Sequence, residues 1–568
     1  DEFSTFTNEF LNSIFPDALA PIPSLATVKV QPDLGDKDAA QGKEILAQSS
    51  LVAVAKNNQG EAKCAYRTAS KVKVWPIALE AARYFGRPAG LSSVGCDPDP
   101  SAEAGLVLSV SANFPDLNEN SFSALALDEL NIQFAGSSTT MGRLYEQVHA
   151  HLVGFGLVYE RASGDRKYVR LPKEIVQEPS FEADDYCLPH NKRSFNGFAL
   201  LREYFAFPQR FFGLRLSGLE KYLKSVEGRT IHLVFETSRS QPTLEAEVKA
   251  DSFALNTINV VNLYDADGLS VTVRDKYHDI ALPDLPHREI YSVKKVRAQR
   301  KNRKIVDCVG LYTSSGKRLQ EDLLPRFSIK QLPRLFEDQD RFEHQATYVG
   351  NESVLTLHDP TENAPENAIR SLRVDCLCSS RYLPEILFES DQRAEFQLEN
   401  DQKTPVTIVH GPTVPRENLI LRRRRTTKDS GAALWRLISF LSVSKHGLDF
   451  GESDDTARGL REILELFSDI SERATQNDIQ ELKSISTEPS QHTIVRNGVA
   501  FPALGTKITL RFSKASLFNS GLFLFVSVLE RFLAEFAAAN TFTRTKVVTD
   551  DGLLDFSFPP RTGTGPLV

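Results

Sequence analysis

Few residues in this chain combine a side chain suited to catalysis or metal binding with the spacing that such a site requires. His149 and His151 stand two apart at the end of a predicted helix, a spacing that suits one face of a strand but not of a helix. No carboxylate or third ligand stands at a metal-binding spacing from them, so the pair is interpreted as ordinary polar positions. Six cysteines form neither a disulfide framework nor a zinc motif, and Cys376 and Cys378 are predicted to be small core residues of a strand.

Two adjacent carboxylate pairs, Asp184-Asp185 and Asp454-Asp455, are the candidates for acid–base catalysis. Neighbouring side chains in a helix or a strand diverge, so neither pair forms an obvious couple of general acid and general base. Asp455 is better explained as a cap or first-turn residue of a following helix. The sequence therefore predicts no catalytic, cofactor-binding or metal-binding residue, and the chain is not expected to be an enzyme.

The strongest charge run consists of the four arginines at 422–425. Four arginines could bind phosphates, but the chain is mildly acidic, with a formal net charge of −7, and no aromatic residue interrupts the run to stack on bases. We expect a protein contact or carboxylate pairing there rather than nucleic acid, with a solvated face as the other alternative. Gly154 and Gly156 also lack the full pattern of a phosphate-binding loop.

The elements around these residues are organised by one stretch, 194–217, which carries seven aromatic residues. Between Gly197 and Phe207 the apolar positions cover a wide arc of a predicted helix, which is typical of a helix buried on several sides. Pro208 ends this helix, and the alternating apolar positions 212, 214 and 216 predict a strand. We expect the helix to join a core where domains meet, through Phe198, Leu201, Tyr204, Phe205 and Phe207.

The chain of 568 residues is too long for one hydrophobic core. Strand patterns dominate its first two thirds, for example at 25–31 and 230–236, whereas helical stripes at 434–441, 455–467 and 520–536 mark its last part. The predicted fold class is α+β and multidomain. We expect a strand-rich N-terminal domain at 1–190, a β-rich middle domain at 191–345 and a more helical α+β domain at 346–568. Trp75 and Trp435 are interpreted as core anchors.

Several segments in order resemble the TssF family, also called VasA or ImpG, a baseplate subunit of bacterial type VI secretion systems. Segment 15–24 resembles the family signature Tyr-Pro-His-Tyr-x-x-Pro-Ile-Pro-Ser, from which Phe15, Asp17 and Ala18 depart. The most specific match is 193–208, with Arg-Ser-Phe-Asn-Gly-Phe followed by Leu-Leu-Arg-Glu-Tyr-Phe-Ala-Phe-Pro. Further matching segments are 64–68, 75–77, 434–442, 520–532 and 559–567.

This resemblance implies a structural role, in a fold similar to the wedge proteins of contractile phage baseplates. Two TssF copies would pair with one TssG, and TssK and TssE would complete a wedge. Six wedges would surround the VgrG spike hub and seed the contractile sheath, docked on the inner-membrane complex from the cytoplasmic side. The family has a helical region ahead of the residue numbered 1 here, which this chain is expected to lack.

The resemblance implies no catalytic residue, cofactor, nucleic acid or small-molecule substrate. Two other hypotheses remain open from the residues themselves. One is a hydrolase or carbohydrate-active module that uses carboxylates among the strands, and the other is a nucleic-acid-binding protein that uses the arginine run at 422–425.

Overall fold

The structure is a computed structural model, and it is described over most of the chain. The described residues are 15–32, 39–57, 60–113, 122–161, 163–191, 195–226, 228–273, 280–282, 288–311, 324–334, 347–361, 367–385, 395–418, 456–468, 473–496, 499–513, 521–537, 541–552 and 554–563. In these ranges lie the helices α1 (Pro88–Val94), α2 (Ser138–Ala150), α3 (Asn196–Ala206), α4 (Glu220–Leu223), α5 (Thr243–Glu247), α6 (Arg458–Phe467), α7 (Arg473–Gln480) and α8 (Leu522–Ala534).

A closed six-stranded barrel joins distant parts of the chain. Every neighbouring pair of its strands is antiparallel, and its interior is filled by side chains such as Val28, Tyr66 and Phe396. In spatial order the strands are Leu25–Val30, Thr257–Val261, Gly60–Thr68, Ser50–Asn57, Glu395–Leu398 and Asp401–His410, the last of which pairs with the first. A small ribbon of Lys43–Ile45 and Val72–Val74 adjoins it in sequence.

Two further sheets are built mainly from residues 77–255. The five-stranded sheet runs in the order Arg166–Leu171, Leu152–Glu160, Thr230–Thr237, Ala104–Ala112 and Ile77–Phe85. The four-stranded sheet runs in the order Val176–Gln177, Gly213–Ser217, Glu129–Phe134 and Phe253–Leu255. Both contribute apolar side chains to one large core, which also takes in α2, α3, α6 and α8.

A seven-stranded sheet with a separate core occupies the middle of the chain. Its strands, in order, are Tyr264–Thr272, Ile369–Ser379, Glu289–Arg300, Ile305–Gly310, Arg326–Pro333, Asn351–His358 and Ile280–Ala281.

The last sheet contains a long hairpin, Leu482–Arg496 with Val499–Phe512. Helix α8 leads from this hairpin to the parallel strand Phe542–Thr549, which pairs in turn with Asp555–Ser557 and Arg561–Thr562. Among the described residues, every helix falls short of the length and apolarity that crossing a membrane requires.

The fold is strand-rich α+β, as the sequence predicts. The predicted strands at 25–31 and 230–236 are Leu25–Val30 and Thr230–Thr237. The predicted helices at 455–467 and 520–536 are Arg458–Phe467 and Leu522–Ala534. The helix predicted at 434–441 lies outside the described residues. The domain boundaries at 190 and 345 stay a prediction. The barrel itself takes strands from all three of the predicted domains.

Candidate functional site

Helix α3 is the element on which the large parts of the molecule converge. Every residue from Gly197 to Ala206 is buried, so all sides of the helix face protein. Such burial agrees with the wide apolar arc read from the sequence. Pro208 starts a single 3-10 turn that ends at Phe211, and the chain continues into strand Gly213–Ser217 of the four-stranded sheet. The helix therefore adjoins one sheet directly in sequence and meets the other parts through side chains.

Aromatic rings connect α3 to the C-terminal part of the chain. The Phe198 ring stacks on Phe467 of α6, with centroids 5.5 Å apart and planes at 17°. It also lies 5.3 Å from Phe15 and 5.9 Å from Phe532 of α8. Each of these rings brings a large apolar area and an edge or face contact worth about 0.5–1.5 kcal/mol beyond burial. Segments at both ends of the described chain are thereby tied to α3.

Gly197 allows helices α3 and α8 to approach closely. A Cβ atom at this position would lie 2.8 Å from Cδ2 of Phe532, closer than side-chain contacts allow, and 2.5 Å from the ring of Phe195. Packing between the two helices therefore explains the glycine. Its backbone conformation does not require glycine, because its φ is not in the left-handed region. The same glycine stands inside the most specific of the segments that resemble TssF, 193–208.

Arg202 projects from the buried helix towards two other parts of the fold. Its guanidinium donates to the carbonyl oxygens of Ala20 and Pro21, at 3.2 and 3.0 Å, and to the hydroxyl of Tyr291, at 3.1 Å. Tyr291 belongs to the seven-stranded sheet, and the two carbonyls lie in the proline-rich entry to the barrel. One charged side chain therefore fixes the position of α3 relative to both.

Glu203 and Arg210 form an ion pair that is shut off from solvent, with side-chain exposures of 1% and 0%. Arg210 also donates to the carbonyl oxygens of Ser180 and Asp185, at 3.2 and 2.6 Å, and Glu203 accepts from the backbone N–H of Leu188. Burial opposes the charge on Arg210, but Glu203 and neighbouring groups keep the pKa of the guanidinium raised. The pair thus fastens segment 180–188 against α3.

A second, partly buried network holds α8 against α2. Glu178 accepts hydrogen bonds from Arg531 of α8 and from the hydroxyl of Tyr145 of α2, the latter at 2.6 Å. Burial raises the pKa of Glu178, but Arg531, His149 and Tyr145 lower it to about 2. The carboxylate is therefore charged at neutral pH and links the C-terminal helix to the N-terminal half of the chain.

The structure places the predicted candidate residues apart from one another. His149 is half-buried in α2, where its Nε2 lies 2.8 Å from the carbonyl oxygen of Gly213, and loss of solvent contact lowers its pKa. Nε2 of His151 lies 3.4 Å from Glu146. Among the described residues, no three His, Cys, Asp or Glu side chains are grouped in a way that could hold a metal ion.

The carboxylate pair at 184–185 lies on the wall of a cleft of about 860 Å³. Asp184 is exposed, whereas Asp185 accepts a hydrogen bond from Arg215 at 2.8 Å, an ion pair that accounts for its position. The pair at 454–455, the arginine run at 422–425 and Trp435 all lie outside the described residues.

The remaining candidates occupy packing positions. Trp75 is 2% exposed and donates through Nε1 to the carbonyl oxygen of Glu129, so its interpretation as a core anchor is confirmed. Cys376 and Cys378 are both buried in the core of the seven-stranded sheet, also as predicted. Gly154 and Gly156 make room for neighbouring side chains. A Cβ at Gly154 would collide with Glu236, and a Cβ at Gly156 would collide with Tyr168.

Sequence reasoning missed the buried charges of the junction at Arg202, Glu203 and Arg210. A signal for them was present, because Arg202 and Glu203 lie within a helix predicted to be buried on several sides. A charged residue in such a helix must find a partner inside the protein. The partners themselves are 7 to 182 residues away along the chain, and the sequence does not indicate them.

Comparisons with known proteins agree with this architecture. The chain is 29% identical to the type VI secretion system component TssF1 of Pseudomonas aeruginosa over 558 residues, which cover 97% of this chain and 87% of that protein. Its fold is similar to a chain of the type VI secretion TssK-TssF-TssG baseplate subcomplex, with a TM-score of 0.71, 18% identity, and coverage of 99% of this chain and 95% of the other.

A second solved chain, from the baseplate complex of the type VI secretion system, has a TM-score of 0.56 and 16% identity, and the match covers 99% of this chain and 88% of that one. The family model described as "Type VI secretion system, TssF" matches residues 1–565 of the 568. This match extends over nearly all of the sequence, including the residues that form the α3 junction, and the chain therefore belongs to the TssF family.

Proposed function

We propose that this protein is a non-enzymatic structural subunit of a type VI secretion baseplate, and that it assembles with TssG and TssK. The observation that carries the proposal is the family match over residues 1–565, supported by the fold shared with a chain of a TssK-TssF-TssG subcomplex. The buried junction around α3 suits this role, because it ties several sheets into a body that can transmit force without rearranging internally.

The finer form of the proposal follows the resemblance to the family. Two copies of the chain pair with one TssG, and TssK and TssE complete the wedge. Six wedges surround the VgrG spike hub and seed the contractile sheath at the cytoplasmic face of the bacterial inner membrane, where the assembly docks on the membrane complex. Permanent interfaces of this kind usually bury more than about 2,000 Å².

The test is co-expression of the chain with TssG and TssK from the same bacterium, followed by affinity purification and native mass spectrometry. We expect one complex that contains both partners and two copies of this chain per TssG. A chain that purifies alone when all three are soluble would contradict the proposal. A complex with a different copy number would contradict only the stoichiometry.

A further inference from the structure

The cleft of about 860 Å³ beside segment 179–190 lies where three parts of the fold meet. The barrel forms one wall, through strands Gly60–Thr68 and Thr257–Val261 and through residues 46–49, called the rim loop below. The four-stranded sheet and segment 179–190 form the other wall, and the α3 junction holds this segment in place. The volume is within the range of roughly 300–1,000 Å³ that is usual for binding pockets.

The rim loop is held in a fixed shape by Thr68. The hydroxyl of Thr68 donates to the carbonyl oxygen of Leu46 at 2.7 Å and accepts from the N–H of Ser49 at 2.9 Å. The backbone of Thr68 accepts from the N–H of Gln48 at 2.9 Å and donates to the carbonyl oxygen of Ser49 at 3.0 Å. Leu46 is nevertheless 63% exposed. An ordered loop therefore presents an apolar side chain to solvent at the rim of the cleft.

Arg67, which lines the cleft, is a largely buried cation without a hydrogen-bonded counterion. Its side chain is 15% exposed, and among the described residues its ion pairs are limited to Asp265, at 3.9 Å. Asp265 is 50% exposed and binds Lys294 more closely, at 2.6 Å. The guanidinium of Arg67 forms no hydrogen bond within the described part of the chain. Loss of solvent contact lowers the pKa of Arg67 more than Asp265 and Tyr291 raise it.

Arg531 shows how an arginine of the same exposure is otherwise accommodated. Its side chain is also 15% exposed, but it binds the carboxylate of Glu178. Burial opposes the charge of Arg531, yet Glu178 and neighbouring groups keep the pKa of the guanidinium raised. A buried charge is costly unless it is paired and hydrogen-bonded. Arg67 lacks such a pair, so the cleft offers a binding site to an anion.

The other charged groups of the cleft do not supply that anion. Arg215 binds Asp185 at 2.8 Å and lies 3.4 Å from Glu129, so it holds two of the three carboxylates. Asp184 and Lys71 are exposed and stay hydrated. An anionic ligand must therefore bind on the barrel wall, away from these three carboxylates.

A carboxylate suits this site better than a phosphate does. The planar guanidinium of Arg67 can bind a carboxylate through two parallel hydrogen bonds. A phosphate monoester carries about −1.5 to −2 charges at neutral pH, and it would bring the excess charge close to three carboxylates of the same cleft. A single negative charge is matched by Arg67 alone. The side chain of an aspartate or a glutamate has this charge and this shape.

The lining of the cleft favours a peptide over a small molecule. Pockets for small molecules are lined mainly by apolar and aromatic side chains. Among the described residues that line this cleft, Tyr186 is the only Phe, Tyr or Trp. The carbonyl oxygen of Asn256 accepts from Val30, so the N–H of Thr257 in the same peptide group points away from that strand. This N–H has no partner among the described residues, and a peptide carbonyl could accept from it.

The size of the cleft limits the occupant to a short stretch of chain. A volume of 860 Å³ equals a cube with an edge of roughly 10 Å, the length of about three extended residues. A stable interface buries about 800 Å² on each partner, far more than three residues provide. The stretch is therefore one part of a larger interface, and it belongs to a folded partner protein.

We propose that the cleft binds a short extended segment of TssG, with a carboxylate side chain on Arg67 and a neighbouring apolar side chain against Leu46. This inference rests on the proposed function, in which TssG is the direct partner of this chain. One segment fills one cleft, so in a complex with two copies per TssG a single copy is engaged in this way.

The first test measures binding of the full-length chain and of its variants to purified TssG. Arg67→Met and Leu46→Asp should each weaken binding at least tenfold. Arg373→Met is the matched control, because Arg373 is exposed on the seven-stranded sheet and does not line the cleft, and it should bind within twofold of the unaltered chain. All three variants should keep the melting temperature, since the guanidinium of Arg67 has no hydrogen bond to lose and Leu46 is exposed.

The second test places a photo-cross-linking amino acid at position 46 of the full-length chain. Irradiation of the complex should join this position to TssG, at a peptide that mass spectrometry identifies and that contains an aspartate or a glutamate. Arg67→Met in the same chain should suppress the product.

Several results would overturn the inference. Unaltered TssG binding by Arg67→Met and Leu46→Asp would do so, as would an equal loss of binding in Arg373→Met. A lower melting temperature of Arg67→Met with unchanged binding would show that Arg67 acts only within the chain. A cross-link from position 46 to TssK or to a second copy, in place of TssG, would identify a different occupant. If the unaltered chain fails to bind TssG, the proposed function fails first.

Discussion

Removal of one partner of the buried pair Glu203–Arg210 is expected to weaken the α3 junction more than removal of both. In Arg210→Met, the Glu203 carboxylate stays 1% exposed without its countercharge, and the carbonyl oxygens of Ser180 and Asp185 lose a donor. Breaking a buried ion pair in this way costs about 3–5 kcal/mol. Glu203→Leu should cost a similar amount, because it leaves the guanidinium buried and uncompensated.

The double variant Glu203→Leu, Arg210→Met removes both charges at once. It leaves three backbone groups without their side-chain partners, namely the N–H of Leu188 and the two carbonyls, each at about 1 kcal/mol or more. The expected cost is therefore about 3 kcal/mol, against about 6–10 kcal/mol for the sum of the single variants. The two substitutions should be non-additive by at least about 3 kcal/mol.

Hydrogen exchange of the α3 amides, followed by mass spectrometry, measures the free energy of the local opening that exposes this helix. A local probe is needed because a chain of several cores does not unfold in two states. Lys224→Met is the matched control, since the Lys224–Glu220 pair is exposed and should contribute less than about 1 kcal/mol. Additive effects, or unchanged protection in Arg210→Met, would refute the reasoning.

Phe198→Ala should destabilise the junction by about 3–5 kcal/mol, because this ring is fully buried against four others, and hydrogen exchange of the α3 amides measures this loss. An intact fold that no longer binds TssG would show an interface instead. Burial raises the pKa of the Glu178 carboxyl, but Arg531 and the other neighbours outweigh burial and lower that pKa from 4.5 to about 2. The Glu178–Arg531 contact should therefore stabilise the protein fully above pH 4.5. Its contribution should disappear as the pH falls towards 2, and Glu178→Gln should flatten that part of an acid-unfolding curve.

The elements that the sequence predicts well are those with a strong local pattern. Helix α3 and the strand after it are confirmed nearly to the residue, since a wide apolar arc, a proline and a clear alternation mark them. The long hairpin at 482–512 was missed, although Asn497-Gly498 between two runs is a strong hairpin signal. In the basic segment 298–304, Ala298–Arg300 continues a strand and Arg300 pairs with Asp359 at 2.8 Å, a contact that the local pattern of charges does not indicate.

The sequence alone determined the local elements, the family resemblance and the expectation that α3 is a buried hub. These follow from periodicity and motif order, which are properties of neighbouring residues. Only the tertiary structure decided which strands pair, because a barrel built from 25–68, 257–261 and 395–410 depends on contacts between residues hundreds of positions apart. It likewise decided the partners of Arg202, Glu203 and Arg210, since a buried charge requires a countercharge or a hydrogen bond but does not specify where in the chain it lies.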